Sequence, residues 1–161
     1  MSELRTNRIV PRDGLPSGSY GGIIQVKYAN YTASSQNFET TTYTDVTGVS
    51  VTITPTRADN AILIMLTFNG NNAASGGGRL MYQVQRDIGG GGYSTIFSVG
   101  EALVDYGASN IHVQGLGNNF VDTPSTTSAV TYKLQVSSHN GNSVNVNNNG
   151  RTDLIVMEIA S

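Results

Sequence analysis

The sequence predicts an all-β fold, a jelly-roll-like antiparallel β-sandwich preceded by an extended N-terminal arm. Three observations lead there. Several segments alternate apolar and polar residues with period two and are rich in Val, Ile, Thr and Tyr. They are separated by Gly, Asn, Ser and Pro, and no segment carries a sustained helical period. The most apolar run, NAILIMLTFN from Asn60 to Asn69, is bounded by turn formers on both sides and is too short for a capped helix. It reads as a central strand buried on both faces, with the remaining strands arranged around it.

Residues 1–22 form the expected arm, and 23–161 the expected β-sandwich domain. Arg5, Arg8 and Arg12 fall in the first thirteen residues against Glu3 and Asp13. Pro11, Pro16 and the glycines at 14, 18, 21 and 22 forbid a continuous helix. Composition alone leaves two readings, a tail without fixed structure or an arm that orders on a partner. In the second, Leu4, Ile9 and Val10 are apolar anchors, and the three arginines are ligands for carboxylates or carbonyls.

From Ile23 onward strands are expected at Ile23–Tyr31, Asn37–Val46 and Val49–Thr56. The last of these alternates Val49, Val51 and Ile53 with Ser50, Thr52 and Thr54, and Pro55 closes it. After the central strand, RLMYQVQRDIGGGGYSTIFSVG reads as a hairpin whose tip is the flexible glycine run Gly89–Gly92. These glycines lead into another strand, whereas a phosphate cradle requires a helix N-terminus there. Residues 101–128 are irregular, with room for one or two short strands. Strands then follow at Ala129–Ser138, around Val144–Val146 and at Asp153–Ala160, for nine or ten in all.

The search for chemistry is mostly negative. Cysteine is absent, so neither a disulfide framework nor a thiolate metal site is available. The acidic residues form no calcium loop, and Asp45, Asp59, Asp87 and Asp122 lie beside turns, where Asx-turns account for them. His112 and His139 stand alone in their segments, and no Gly-x-Ser-x-Gly elbow exists. No enzyme activity, cofactor or metal is expected. A net charge of −2 argues neither for nucleic acid nor for an anionic membrane. No apolar run reaches the roughly 18 residues of a membrane span, and no signal peptide is legible, so synthesis in the cytoplasm without export is expected. Only 12% of residues are charged, leaving a surface of Ser, Thr, Asn, Gln and Gly. Of eight tyrosines, Tyr93 and Tyr106 flank loops, where a ring could stack on a glycan.

The opening MSELRTNRIVPRDGLPSG, the junction GGIIQV, the segment TTYTDVTGVSVTITPTRADNAILIMLTFNG and the ending LIVMEIA resemble short virion structural proteins of tailed bacteriophages, especially cyanobacterial and marine phages. The resemblance covers roughly half the chain and contains no catalytic motif. It implies a homotrimeric knob joined to the particle by an N-terminal segment, here Leu4–Pro16, with the chain's own copies and a major capsid or other virion protein as partners. Burial of a second sheet face against such copies accounts for the weak polar alternation of Ile62–Phe68. Tail fibres of this kind carry long repetitive shafts, which this chain lacks. A capsid decoration or cement protein, or a short head fibre, is therefore expected at the capsid surface. The alternative is a tail fibre that recognises a host-surface glycan through the loops at Gly70–Gly78, Gly89–Gly92 and Gly115–Asn119.

Overall fold

A computed structural model describes residues 21–72, 79–104, 111–147 and 150–161. Eleven strands and no helix occur among them. β1 (Ile23–Tyr31), β2 (Gln36–Phe38), β3 (Thr44–Ile53), β4 (Ala61–Asn72), β5 (Arg79–Ile88) and β6 (Ser94–Val104) come first. β7 (Ile111–Leu116), β8 (Asn119–Asp122), β9 (Val130–Ser138), β10 (Val144–Val146) and β11 (Thr152–Ile159) follow.

The strands form two antiparallel sheets packed as a sandwich of jelly-roll kind. One runs β1-β11-β4-β10-β2, with β7 and β8 also paired to β4; the other runs β3-β9-β5-β6. The twelve-residue β4 is the centre of the first sheet. Its first half lies between β11 and β8, and its second half between β10 and β7. β11 is inserted between β1 and β4, so the first and last described strands are neighbours.

Period-two alternation places the core. Ile62, Ile64, Leu66 and Phe68 of β4 and Leu154 and Val156 of β11 are at most 2% exposed and face inward. They meet Leu80, Tyr82 and Val84 of β5 and Leu134 and Val136 of β9 from the other sheet. Each such side chain contributes about 1.5–3 kcal/mol on burial. The Phe68 and Tyr82 rings join the sheets edge to face at 5.0 Å.

Three expectations need correction. The central strand is buried on its inner face alone, because Leu63 and Met65 are half-buried and Thr67 is exposed. The strand expected at Asn37–Val46 breaks after Phe38, and β3 runs on through Gly48, where a strand end was expected. The reason is a register shift between Asp45 and Ser50. Gly48 has φ +79°, and a Cβ there would lie 2.8 Å from the Tyr31 ring, so the glycine bends the strand under that ring without ending it.

The third concerns the hairpin tip, which is tied down. The Asp87 carboxylate accepts hydrogen bonds from the amides of Gly90 at 3.0 Å and Gly92 at 2.6 Å. Gly89, Gly90 and Gly92 all have positive φ, which glycine adopts at no steric cost.

Candidate interaction surface

The first sheet has a second face, exposed along β1 and β8 and half-buried to buried along β11 and β4. Pairing registers resolve it into rows running across the strands. Tyr28 of β1 stands opposite Ile155 of β11, which stands opposite Met65 of β4. The next row is Val26, Met157, Leu63 and Val121, spanning β1, β11, β4 and β8. A third joins Ile23, Ile159 and Ala61. None of these ten side chains is charged. Tyr28 is 71% exposed, Ile23 61%, Val121 55% and Val26 47%.

A polar row closes one margin of this face. Asn30 donates to Asp153 at 2.7 Å, Arg151 binds the same carboxylate at 2.6 Å, and Thr67 stands opposite Asp153 on β4.

Buried charge is found on the inner side. The Glu158 side chain is fully buried, and its hydrogen-bond donors among the described residues are all neutral. These are Thr56 N at 2.7 Å, Thr56 Oγ1 at 2.8 Å, Asn60 Nδ2 at 2.6 Å and Gln25 Nε2 at 2.6 Å. Burial works against the charge, but the hydrogen bonds from Asn60, Gln25 and Thr56 outweigh it and hold the carboxyl below its ordinary value of 4.5. A cleft of about 770 Å³ opens beside this knot, bordered by Gly22, Ile24, Thr56 and Asn60. Its main side-chain donors are thus already engaged.

At the far side of the sandwich, Arg86 binds Asp122 at 2.7 Å, and the Tyr132 hydroxyl donates to the same carboxylate at 2.8 Å. Burial and Asp122 together push the Tyr132 hydroxyl far above the ordinary tyrosine range. This pair ties β8 of one sheet to β5 and β9 of the other.

The residues singled out in the sequence fare unequally. Leu4, Arg5, Arg8, Ile9, Val10, Arg12 and Tyr106 lie outside the described residues. Tyr93 is 45% exposed, and the Lys133 ammonium sits 3.9 Å from its ring centroid, covering one face. Lys133 also pairs with Asp45 at 2.8 Å. Of the four aspartates assigned to turns, only Asp87 holds one. Asp45, Asp59 and Asp122 form ion pairs, and Arg57 holds Asp59 down at about 2 by paired hydrogen bonds. The loop at Gly115–Asn119 is fixed to the body, since Leu66 N donates to Asn118 O at 3.1 Å and the Tyr82 hydroxyl donates to the Asn118 side chain.

Among the described residues no group of three or more His, Asp or Glu side chains is placed to hold a metal ion. Sequence reasoning marked the outer apolar face through the weak polar alternation of Ile62–Phe68 but missed the Glu158 knot. The face had a signal: Leu63 and Met65 stand where an exposed face would carry polar residues. Glu158 had none, because its partners lie about a hundred residues away.

A scan against protein-family models finds no match, and comparison with curated proteins finds none. Among solved structures, the chain is similar to one from the infectious bursal disease virus Gt strain, with a TM-score of 0.52 and 14% identity over 96% of this chain. A chain of the infectious bursal disease virus VP2 subviral particle aligns with a TM-score of 0.49 and 16% identity over 92% of this chain. Each match spans 37% of the viral chain, little more than a third of its length. At 14% identity the likeness is one of fold.

Proposed function

We propose that this chain is a virion structural protein: a trimeric decoration or cement protein, or short head fibre, fastened to the capsid through residues 4–16. The observation that carries the reading is the likeness in fold to a chain of the infectious bursal disease virus particle. The resemblance of the N-terminal segment, the first strands and LIVMEIA to phage virion proteins supports it from the sequence. The bacteriophage origin, the capsid placement and the trimer belong to this proposal.

In the proposed arrangement Leu4, Ile9 and Val10 anchor the segment, and Arg5, Arg8 and Arg12 bind carboxylates or carbonyls of a capsid protein. Gly21 N donates to Ala160 O at 2.5 Å, so residue 21 lies beside the end of the last strand. The Lys133 ammonium over Tyr93 occupies one face of that ring, which counts against sugar stacking on that side.

Deleting residues 1–14 tests the proposal. The shortened chain is expected to keep its β-sheet circular dichroism and its oligomeric mass but to be absent from purified particles. Undiminished incorporation overturns the attachment role. Counting copies against the major capsid protein by quantitative mass spectrometry is expected to give on the order of hundreds per particle, the number a symmetric capsid lattice offers. A few tens would move the protein to the tail or to one vertex.

A further inference from the structure

We infer that the outer face of the β1-β11-β4-β8 sheet is the surface through which copies of this chain associate. The inference deepens the proposed trimer by naming the face that would hold it, and it rests on that reading for the number of copies.

The exposure is of the right kind. Tyr28, Ile23, Val121 and Val26 are large apolar side chains, 47% to 71% exposed, that share one sheet face, and a contiguous exposed apolar patch of this sort marks an association site. Its anatomy also fits. An apolar centre containing Met157 and Leu63 is flanked by the polar row of Asn30, Asp153 and Thr67, the pattern of buried core and hydrated rim.

Charge selects the occupant. The segment before Gly21 carries three arginines, and the apolar rows offer them no carboxylate. A basic or acidic partner would likewise find no complementary group in these rows. A second copy brings a face equally free of charge, so the two meet without like-charge repulsion and without burying an unpaired ion. Around a three-fold axis, the half formed by β1 and β11 would pack on the half formed by β4 and β8 of the neighbour, leaving the polar row at one end.

The test uses the full chain and the double variant Tyr28→Glu/Val121→Glu, measured by light scattering after size exclusion, with circular dichroism as the control for folding. Both side chains are largely exposed in the single chain, so the monomer fold tolerates the change. The wild type is expected at three times the 17.0 kDa monomer mass and the variant at 17.0 kDa, with unchanged circular dichroism. A wild type at 17.0 kDa, or a variant that keeps the wild-type mass, overturns the inference. A dimer that the variant dissociates upholds the face and overturns the three-fold arrangement. Assaying wild-type protein in purified particles separates the two ideas. A chain that is present while the variant keeps its mass leaves the virion role standing without this interface. A chain that is absent while the variant dissociates leaves the interface standing without the virion role.

Discussion

Glu158 concentrates the energetics of single residues in this protein. Its carboxylate is buried among four neutral donors, so an acceptor removed there leaves buried amides unpaired. Glu158→Gln keeps the shape but turns an amide NH2 toward one set of donors. It is expected to destabilise the fold by roughly 1–3 kcal/mol at pH 7, read from urea unfolding. The pH dependence has a definite sign. Because the folded carboxyl lies below its ordinary value of 4.5, its contribution is fully present above that pH and is lost as acid titrates the folded group. The gap between wild type and variant should therefore narrow below about pH 4.5; a constant gap would show that the charge is not what the knot requires. None of this was legible in LIVMEIA, which reads as an apolar strand with a polar end. The donors at Gln25, Thr56 and Asn60 reach the carboxylate only when the sandwich closes. Tyr93 shows the converse: the sequence marked it as exposed beside a loop, but the lysine over its ring comes from a distant strand.

Among the elements, alternation and turn residues located the strands well wherever one face met the core. Val49, Val51 and Ile53 were read correctly as inward, and β1 was bounded to the residue. Boundaries failed where a glycine served as a bend inside a strand, as Gly48 does under Tyr31. The glycines at the tip of the β5–β6 hairpin were read as freedom, whereas Asp87 uses their left-handed backbone to bind two amides. Asp87→Ala is expected to cost about 1 kcal/mol and to speed amide exchange at Gly90 and Gly92 while leaving β9 unchanged. Equal protection in the variant would remove the carboxylate from the account of this turn. Gly117 is a stricter case. Its φ is +149°, and a Cβ would come within 1.8 Å of the Leu66 carbonyl oxygen. Only a shift of the β7–β8 connection away from β4 would admit a side chain there.

For the molecule as a whole, the sandwich was legible because its core is encoded locally, strand by strand. The sheet order was not, since it depends on which edges find each other across the chain. Burial of β4 on a single face is the principal difference, and it leaves the apolar rows proposed above as the association surface. Ile64 points the other way, into the middle of the sandwich. Ile64→Asp is expected to prevent folding, because an unpaired charge there costs several kcal/mol. Recovery of the variant as soluble protein with native circular dichroism would refute the placement of the core on that side of β4. The insertion of β11 between β1 and β4 also governs the order of events during synthesis. Among the described residues β1 has no other ladder partner, so its backbone groups wait for residues 152–159 to leave the exit tunnel. The first sheet thus cannot close before those residues are available to it. A chain cut before residue 152 would leave β1 without the strand that pairs it among the described residues.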